Sequence, residues 1–166
     1  KVKELSALID TFLADTGATY PRPNPAYKPV AAKTPAKAAD PLQGWKERGC
    51  KATIADGMLT MKATGKPEVS FLGHATGKMT GPATIKLRVR SQTGGAGKVD
   101  SFPKGSADTT GMLSLPFEVR PGDWQDVQLL IKAPGPIGTL RLYLPDSDID
   151  SIELTPAKGK AEHWNF

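Results

Sequence analysis

The chain has 166 residues, 39% hydrophobic and 23% charged, with a formal net charge of +5. That length and balance suit one folded domain with an appendage, and no apolar run approaches the ~20 residues of a membrane-spanning helix. A single cysteine, Cys50, excludes an internal disulfide.

Val2, Leu5, Leu8, Ile9, Phe12 and Leu13 recur at three-and-four spacing, which predicts an amphipathic helix from Lys1 to Asp15. Gly17 stands where a left-handed C-cap belongs, and prolines from Pro21 onward forbid continuation. A stripe of large apolar residues needs a partner, so residues 1–20 are expected to be the last helix of a preceding, larger domain.

Residues 21–43 read as a linker. Six prolines stand there among alanines and lysines such as Lys28, Lys33 and Lys37, with no apolar periodicity. Proline fixes φ and removes amide donors, so an extended, semi-rigid spacer is expected.

Beyond Cys50 the period changes to two. Asp56-Gly57 between Ala52, Ile54 and Met58, Thr60 is a two-residue hairpin signal. Val69 to Leu72 gives a short strand. Thr84 to Arg90 alternates most cleanly, with Ile85, Leu87 and Val89 on one side and Lys86, Arg88 and Arg90 on the other. Leu113 to Val119, Val127 to Ile131, Leu140 to Leu144 and Ile149 to Leu154 continue the series. Gly94-Gly95-Ala96-Gly97, Arg120-Pro121-Gly122-Asp123 and Pro134-Gly135-Pro136 read as turns between them. Seven to nine short strands over residues 44–166 predict a mostly β fold, an antiparallel sandwich with one N-terminal helix. Ile54, Ile85, Leu87, Val89, Phe117, Val127, Leu129, Ile131, Leu140, Leu142, Ile152 and Leu154 are its expected core.

Catalytic and metal motifs are sparse. Gly73-His74-Ala75-Thr76-Gly77-Lys78 has its glycines one residue too close for a phosphate loop, and Met79 replaces the Ser or Thr. Cys50, His74 and His163 lack paired metal-ligand spacing. Asp146, Asp148 and Asp150 alternate as at the start of a calcium loop, but Ser151 and Ala157 stand where Gly and Glu belong. They are candidates for at most one structural calcium ion, and otherwise form an Asp-rich turn. No cofactor is expected, and no aromatic-basic motif points to nucleic acid.

Lys86, Arg88 and Arg90 present three cations along one face, which suits a solvated sheet surface or the recognition of an anion through charge-assisted contacts. Arg141 and Tyr143 face outward on their own strand and join that patch if the two strands are neighbours in one sheet. Trp124 follows a Gly-Asp turn, out of phase with its strand, and is a candidate stacking platform, exposed or bent inward at an edge. Trp164 and Phe166 are better placed to pin the C-terminus to the core.

The helix followed by Thr16-Gly17 and Tyr20-Pro21-Arg22-Pro23-Asn24-Pro25-Ala26-Tyr27 resembles the end of the catalytic domain in the sulfatase family. The resemblance is strongest to secreted bacterial sulfatases with an appended β-domain, through Gly44-Trp45, Gly49-Cys50, Gly81-Pro82-Ala83-Thr84, Gly122-Asp123-Trp124 and Trp164-Asn165-Phe166. It implies a galactose-binding-like jelly roll, a sulfatase catalytic domain as partner and a secreted or periplasmic location. The catalytic Cys/Ser-x-Pro-Ser-Arg signature is absent, since Cys50 precedes Lys51-Ala52-Thr53-Ile54. The function expected is a non-catalytic accessory domain that packs on, or targets, such an enzyme. The alternative is a carbohydrate-binding module with affinity for a sulfated glycan.

Overall fold

A computed structural model describes residues 2–17, 40–77, 79–105 and 109–166. The chain divides into two compact units, Lys1–Ala38 and Ala39–Phe166. In the first, helix α1 runs Val2–Thr16 and ends at Gly17 with φ of 64°, as its apolar spacing and glycine stop require. Leu8, Ile9 and Phe12 are exposed along it. Most of the expected linker, residues 21–39, lies outside the described residues. Its last part, Asp40 to Gln43, forms a turn in which the Asp40 carboxylate accepts the Leu42 and Gly44 amides, and Leu42 packs against the core.

The second unit is an antiparallel β-sandwich, a jelly roll. Its described strands are β1 (Trp45–Arg48), β2 (Cys50–Ala55), β3 (Met58–Ala63), β4 (Phe71–Ala75), β5 (Thr80–Arg90) and β6 (Gly95–Pro103). They continue with β7 (Leu113–Val119), β8 (Gln125–Ile131), β9 (Ile137–Tyr143), β10 (Ser147–Lys158) and β11 (Glu162–Asn165). One sheet has five strands in the order β1-β4-β9-β6-β7; the other runs β2-β3-β10-β5-β8, with β11 added against β10. The β2–β3 hairpin turns at Asp56 and Gly57 with φ of 52° and 75°, the doubly left-handed turn that Asp-Gly favours.

Alternation builds the core. Ile85, Leu87 and Val89 are all at most 2% exposed and lie opposite Leu154, Ile152 and Ile149 of β10. Ile149 and Ile152 are three apart, which strict alternation would send to opposite faces. A bulge between Ile149 and Ser151 absorbs the extra residue and turns both inward. Leu59, Met61, Leu72, Ile131, Ile137, Leu140 and Leu142 complete the buried interior. Ile54, Phe117, Val127 and Leu129 are only partly buried against it; they sit on β2, β7 and β8, edge strands that a facing sheet covers incompletely.

One turn expected from sequence is in fact strand. Gly95, Ala96 and Gly97 open β6 and pair with Val119, Glu118 and Phe117 of β7. A Cβ at Gly97 would come within 2.7 Å of the Phe117 ring, so glycine here serves close packing rather than a turn.

Candidate binding face

The cationic side of β5 is already matched by carboxylates. Register places Lys86 beside Glu153 and Arg90 beside Asp148 on β10, and Arg88 beside Asp126 on β8. Lys86 Nζ lies 3.6 Å from Glu153. Arg88 lies 3.4 Å from Asp126 and 3.8 Å from Asp150, and Arg90 2.9 Å from Asp148. Cross-strand pairs of opposite charge stabilise a sheet face modestly, and here they leave little net field for an anion. Trp124 shares this side, with the Arg90 and Arg88 guanidinium carbons 4.8 and 5.9 Å from its ring centroid. The indole is a resting surface for arginines.

The same pairing accounts for two of the aspartates considered for calcium. Asp148 also accepts the Thr60 hydroxyl at 2.9 Å, while Asp146 accepts the Ala63 amide at 2.8 Å. The Arg90 hydrogen bond, aided by Thr60 and opposed by burial, holds the Asp148 carboxyl below the usual aspartate range. Glu153 is likewise lowered, first by the Thr155 hydroxyl and then by Lys86. No group of three or more His, Cys, Asp or Glu side chains converges on a metal-sized site among the described residues.

Arg141 and Tyr143 do not join Lys86, Arg88, Arg90 and Trp124. They lie on β9, in the five-stranded sheet, whereas β5 lies in the six-stranded one; the two sets occupy opposite outer faces of the sandwich. Outward alternation on β9 was legible, but the sheet that receives each strand is set by long-range pairing. Tyr143 is only 8% exposed, because the Phe71 ring lies 5.1 Å from it and Lys98 Nζ sits 4.1 Å above its face.

Around these two residues the five-stranded sheet carries an aromatic and cationic face. Register lines up Lys46, Gly73, Arg141, Asp100 and Ser114 across five strands. Phe71 lies in the neighbouring row with Arg48, and Phe102 beside Thr139 in the other. The Arg141 guanidinium is flanked by Phe71 and Phe102, at 4.9 and 4.3 Å from their centroids. Asp100, 2% exposed, is taken up by Lys98 at 3.0 Å and by the Ser114 hydroxyl at 2.6 Å. A groove of about 390 Å³ runs beside Arg141 over Gly73 and Ala75, walled by Phe71, Lys46 and Arg48. Neither Phe71, Phe102 nor Lys98 was singled out from sequence. Phe71 and Phe102 sit in strands without clean alternation, and no local pattern joins residues 31 positions apart.

The other tryptophans are interior. Trp45 is 1% and Trp164 7% exposed, with His74 packed against both at 5.0 and 4.7 Å. Cys50 is buried too, where burial pushes its thiol above the ordinary value and its S–H donates to the Phe71 carbonyl at 3.4 Å.

No protein-family model matches the chain, and no curated protein matches it in sequence. Among solved structures the chain is similar to the second N-terminal cellulose-binding domain of β-1,4-glucanase C from Cellulomonas fimi. That likeness has a TM-score of 0.54 at 14% identity and covers 73% of this chain and 90% of that one. It is also similar to the N-terminal endo-1,4-β-D-xylanase 10B of Clostridium thermocellum, whose CBM22-1 and GH10 modules were solved with xylohexaose. There the TM-score is 0.53 at 14% identity, over 70% of this chain and 27% of that one. At such identities the likeness is one of fold, the antiparallel β-sandwich.

Proposed function

We propose that the β unit is a non-catalytic carbohydrate-binding module, with the outer face of the five-stranded sheet as its binding surface. The observation that carries this reading is the half-buried Phe71 on the outer face of the five-stranded sheet, walling the groove beside Arg141, with Phe102 and Tyr143 buried under Arg141 and Lys98. A pyranose offers an apolar C–H side and a rim of hydroxyls; aromatic surface meets the first and fixed polar groups the second. The fold likeness to a cellulose-binding domain and to a xylanase chain carrying a binding module supports the same reading. A module of this kind acts where polysaccharide is, which accords with a location outside the cytoplasm.

Affinity electrophoresis through gels containing soluble polysaccharides tests it. Retention by at least one polymer is expected, and Phe71→Ala should reduce it without changing the far-ultraviolet circular dichroism. Wild-type mobility unchanged across neutral and acidic polymers would remove this reading.

A second reading attaches the unit to a sulfatase-like catalytic domain. The apolar residues Leu8, Ile9 and Phe12 exposed on α1 favour it, since a catalytic domain would cover them. A reading frame that encodes Cys/Ser-x-Pro-Ser-Arg upstream of Lys1 would support it, and one without that signature would not.

A further inference from the structure

We infer that the groove beside Arg141 selects an acidic glycan, one whose sugars bear carboxylate or sulfate groups; this rests on the carbohydrate-binding reading above. The two outer faces of the sandwich treat their cations differently. On the six-stranded sheet Lys86, Arg88 and Arg90 each have a carboxylate within 4 Å. On the five-stranded sheet Arg141 has no ion pair among the described residues, although register sets Asp100 directly across from it. Asp100 is engaged elsewhere, by Lys98 and Ser114. The Glu47 carboxylate, beside the groove, is likewise committed, accepting the Ala52 amide of β2 at 2.6 Å.

Arg141 is therefore a half-buried guanidinium, wedged between two phenylalanine rings, with its charge unanswered by the described protein. A guanidinium is a planar fork matched to carboxylate and sulfate oxygens, and stacking between rings lowers the entropy lost when it binds. Lys46 and Arg48 stand on the same groove and add positive potential. Gly73 keeps the floor open: a Cβ there would already touch the Phe71 ring at 3.5 Å, so any larger side chain intrudes on the space beside Arg141. Aromatic surface for the ring of a sugar and a fixed cation for its acid group are thus neighbours.

The test uses the whole chain and matched polymers in affinity gels: polygalacturonate against its fully methyl-esterified form, and κ-carrageenan against its desulfated form. Hydroxyethylcellulose serves as a neutral glucan. At least tenfold tighter retention by one acidic member than by its neutral mate is expected, weakening as salt rises. Preference within the polygalacturonate pair identifies a carboxylate ligand, and preference within the carrageenan pair a sulfate ligand. Arg141→Gln should reduce acidic retention by tenfold or more, Gly73→Ser should do the same by filling the groove, and Arg88→Gln should leave it intact. Equal retention of acidic and neutral mates would overturn the acidic ligand while the module reading stands. Retention by none of the polymers would overturn both. Undiminished acidic binding in folded Arg141→Gln and Gly73→Ser would also sink the inference, by placing the site elsewhere.

Discussion

Trp45 on β1 and Trp164 on β11 meet edge-to-face with ring centroids 5.3 Å apart, so the first strand of one sheet and the last strand of the other are joined through their side chains. His74 packs on both rings, and its Nε2 lies 2.9 Å from a Glu162 carboxylate oxygen. Trp164 also donates its indole N–H to the Gln43 carbonyl at 3.0 Å, which ties the entry turn to the exit strand. The C-terminal strand is a clasp across one side of the sandwich. Trp164→Ala should cost about 3–5 kcal/mol, the range for emptying a large aromatic site. Urea unfolding followed by fluorescence measures it, and a loss below about 1 kcal/mol would show that the clasp is dispensable.

Acid should weaken the six-stranded face. The Asp148 carboxyl is held below its ordinary value by the Arg90 hydrogen bond, so the native state binds its proton less readily than the unfolded chain does. The resulting stabilisation is fully present above the unfolded value, about pH 4, and is lost as pH falls through the lower native one. Asp148→Asn should lower stability at pH 7 and flatten its decline below about pH 4. Parallel denaturation curves for the variant and the parent from pH 7 to pH 3 would contradict this assignment.

The legible part of this fold was whatever short-range pattern controls. The α1 stripe, the Asp-Gly hairpin and the inward set Ile85, Leu87 and Val89 follow from spacing, and spacing survives in the structure because nothing tertiary opposes it. Strand β6 was not legible. Its Gly97 answers to the Phe117 ring on the next strand and Gly95 to Pro145, and Asp100 and Ser101, at 2% exposure, break the apolar alternation that marks a strand. The candidate face could be read only in part, through the outward Arg141 and Tyr143. Lys86, Arg88 and Arg90 stood out because they alternate, yet their charges are answered by Asp126, Asp148, Asp150 and Glu153 on two other strands. Arg141 stood out less, and its isolation from Asp100 depends on Lys98 and Ser114, residues that no local rule connects.

Removing the cations of β5 should separate charge from binding. Arg88→Ser with Arg90→Ser takes away two arginines, but it also frees Asp126, Asp148 and Asp150 from their partners. The double variant should lose about 1–3 kcal/mol of stability, mostly from the half-buried Arg90–Asp148 pair. Retention on an acidic polysaccharide should change by less than about threefold, since exposed, screened charges act weakly at a distance. Loss of retention together with an unchanged unfolding midpoint would assign the binding surface to the six-stranded sheet instead.

Gly94, in the β5–β6 turn, and Gly97, within β6, should respond unequally to the same added methyl group. A Cβ at Gly97 would press on the Cε2 and Cζ atoms of Phe117 at 2.7 Å, atoms at the far end of a side chain on an edge strand that is only partly buried. The ring can swing outward, so Gly97→Ala should cost about 1 kcal/mol, the low end for overpacking. Gly94 has φ of 66°, and its Cβ would meet the Val119 carbonyl oxygen at 2.7 Å and the Pro121 nitrogen at 2.8 Å. Those are backbone atoms, and the Gly94 amide is itself held by the Ser91 hydroxyl oxygen at 3.1 Å. Left-handed strain of roughly 1–2 kcal/mol then adds to a contact that cannot relax, and Gly94→Ala should cost about 3 kcal/mol. Phe117→Leu should rescue Gly97→Ala and leave Gly94→Ala unrescued, as expected for coupling confined to touching side chains. Thermal unfolding of the four variants decides it: equal losses at the two glycines, or rescue of both by Phe117→Leu, would show that the turn moves as one body with β6.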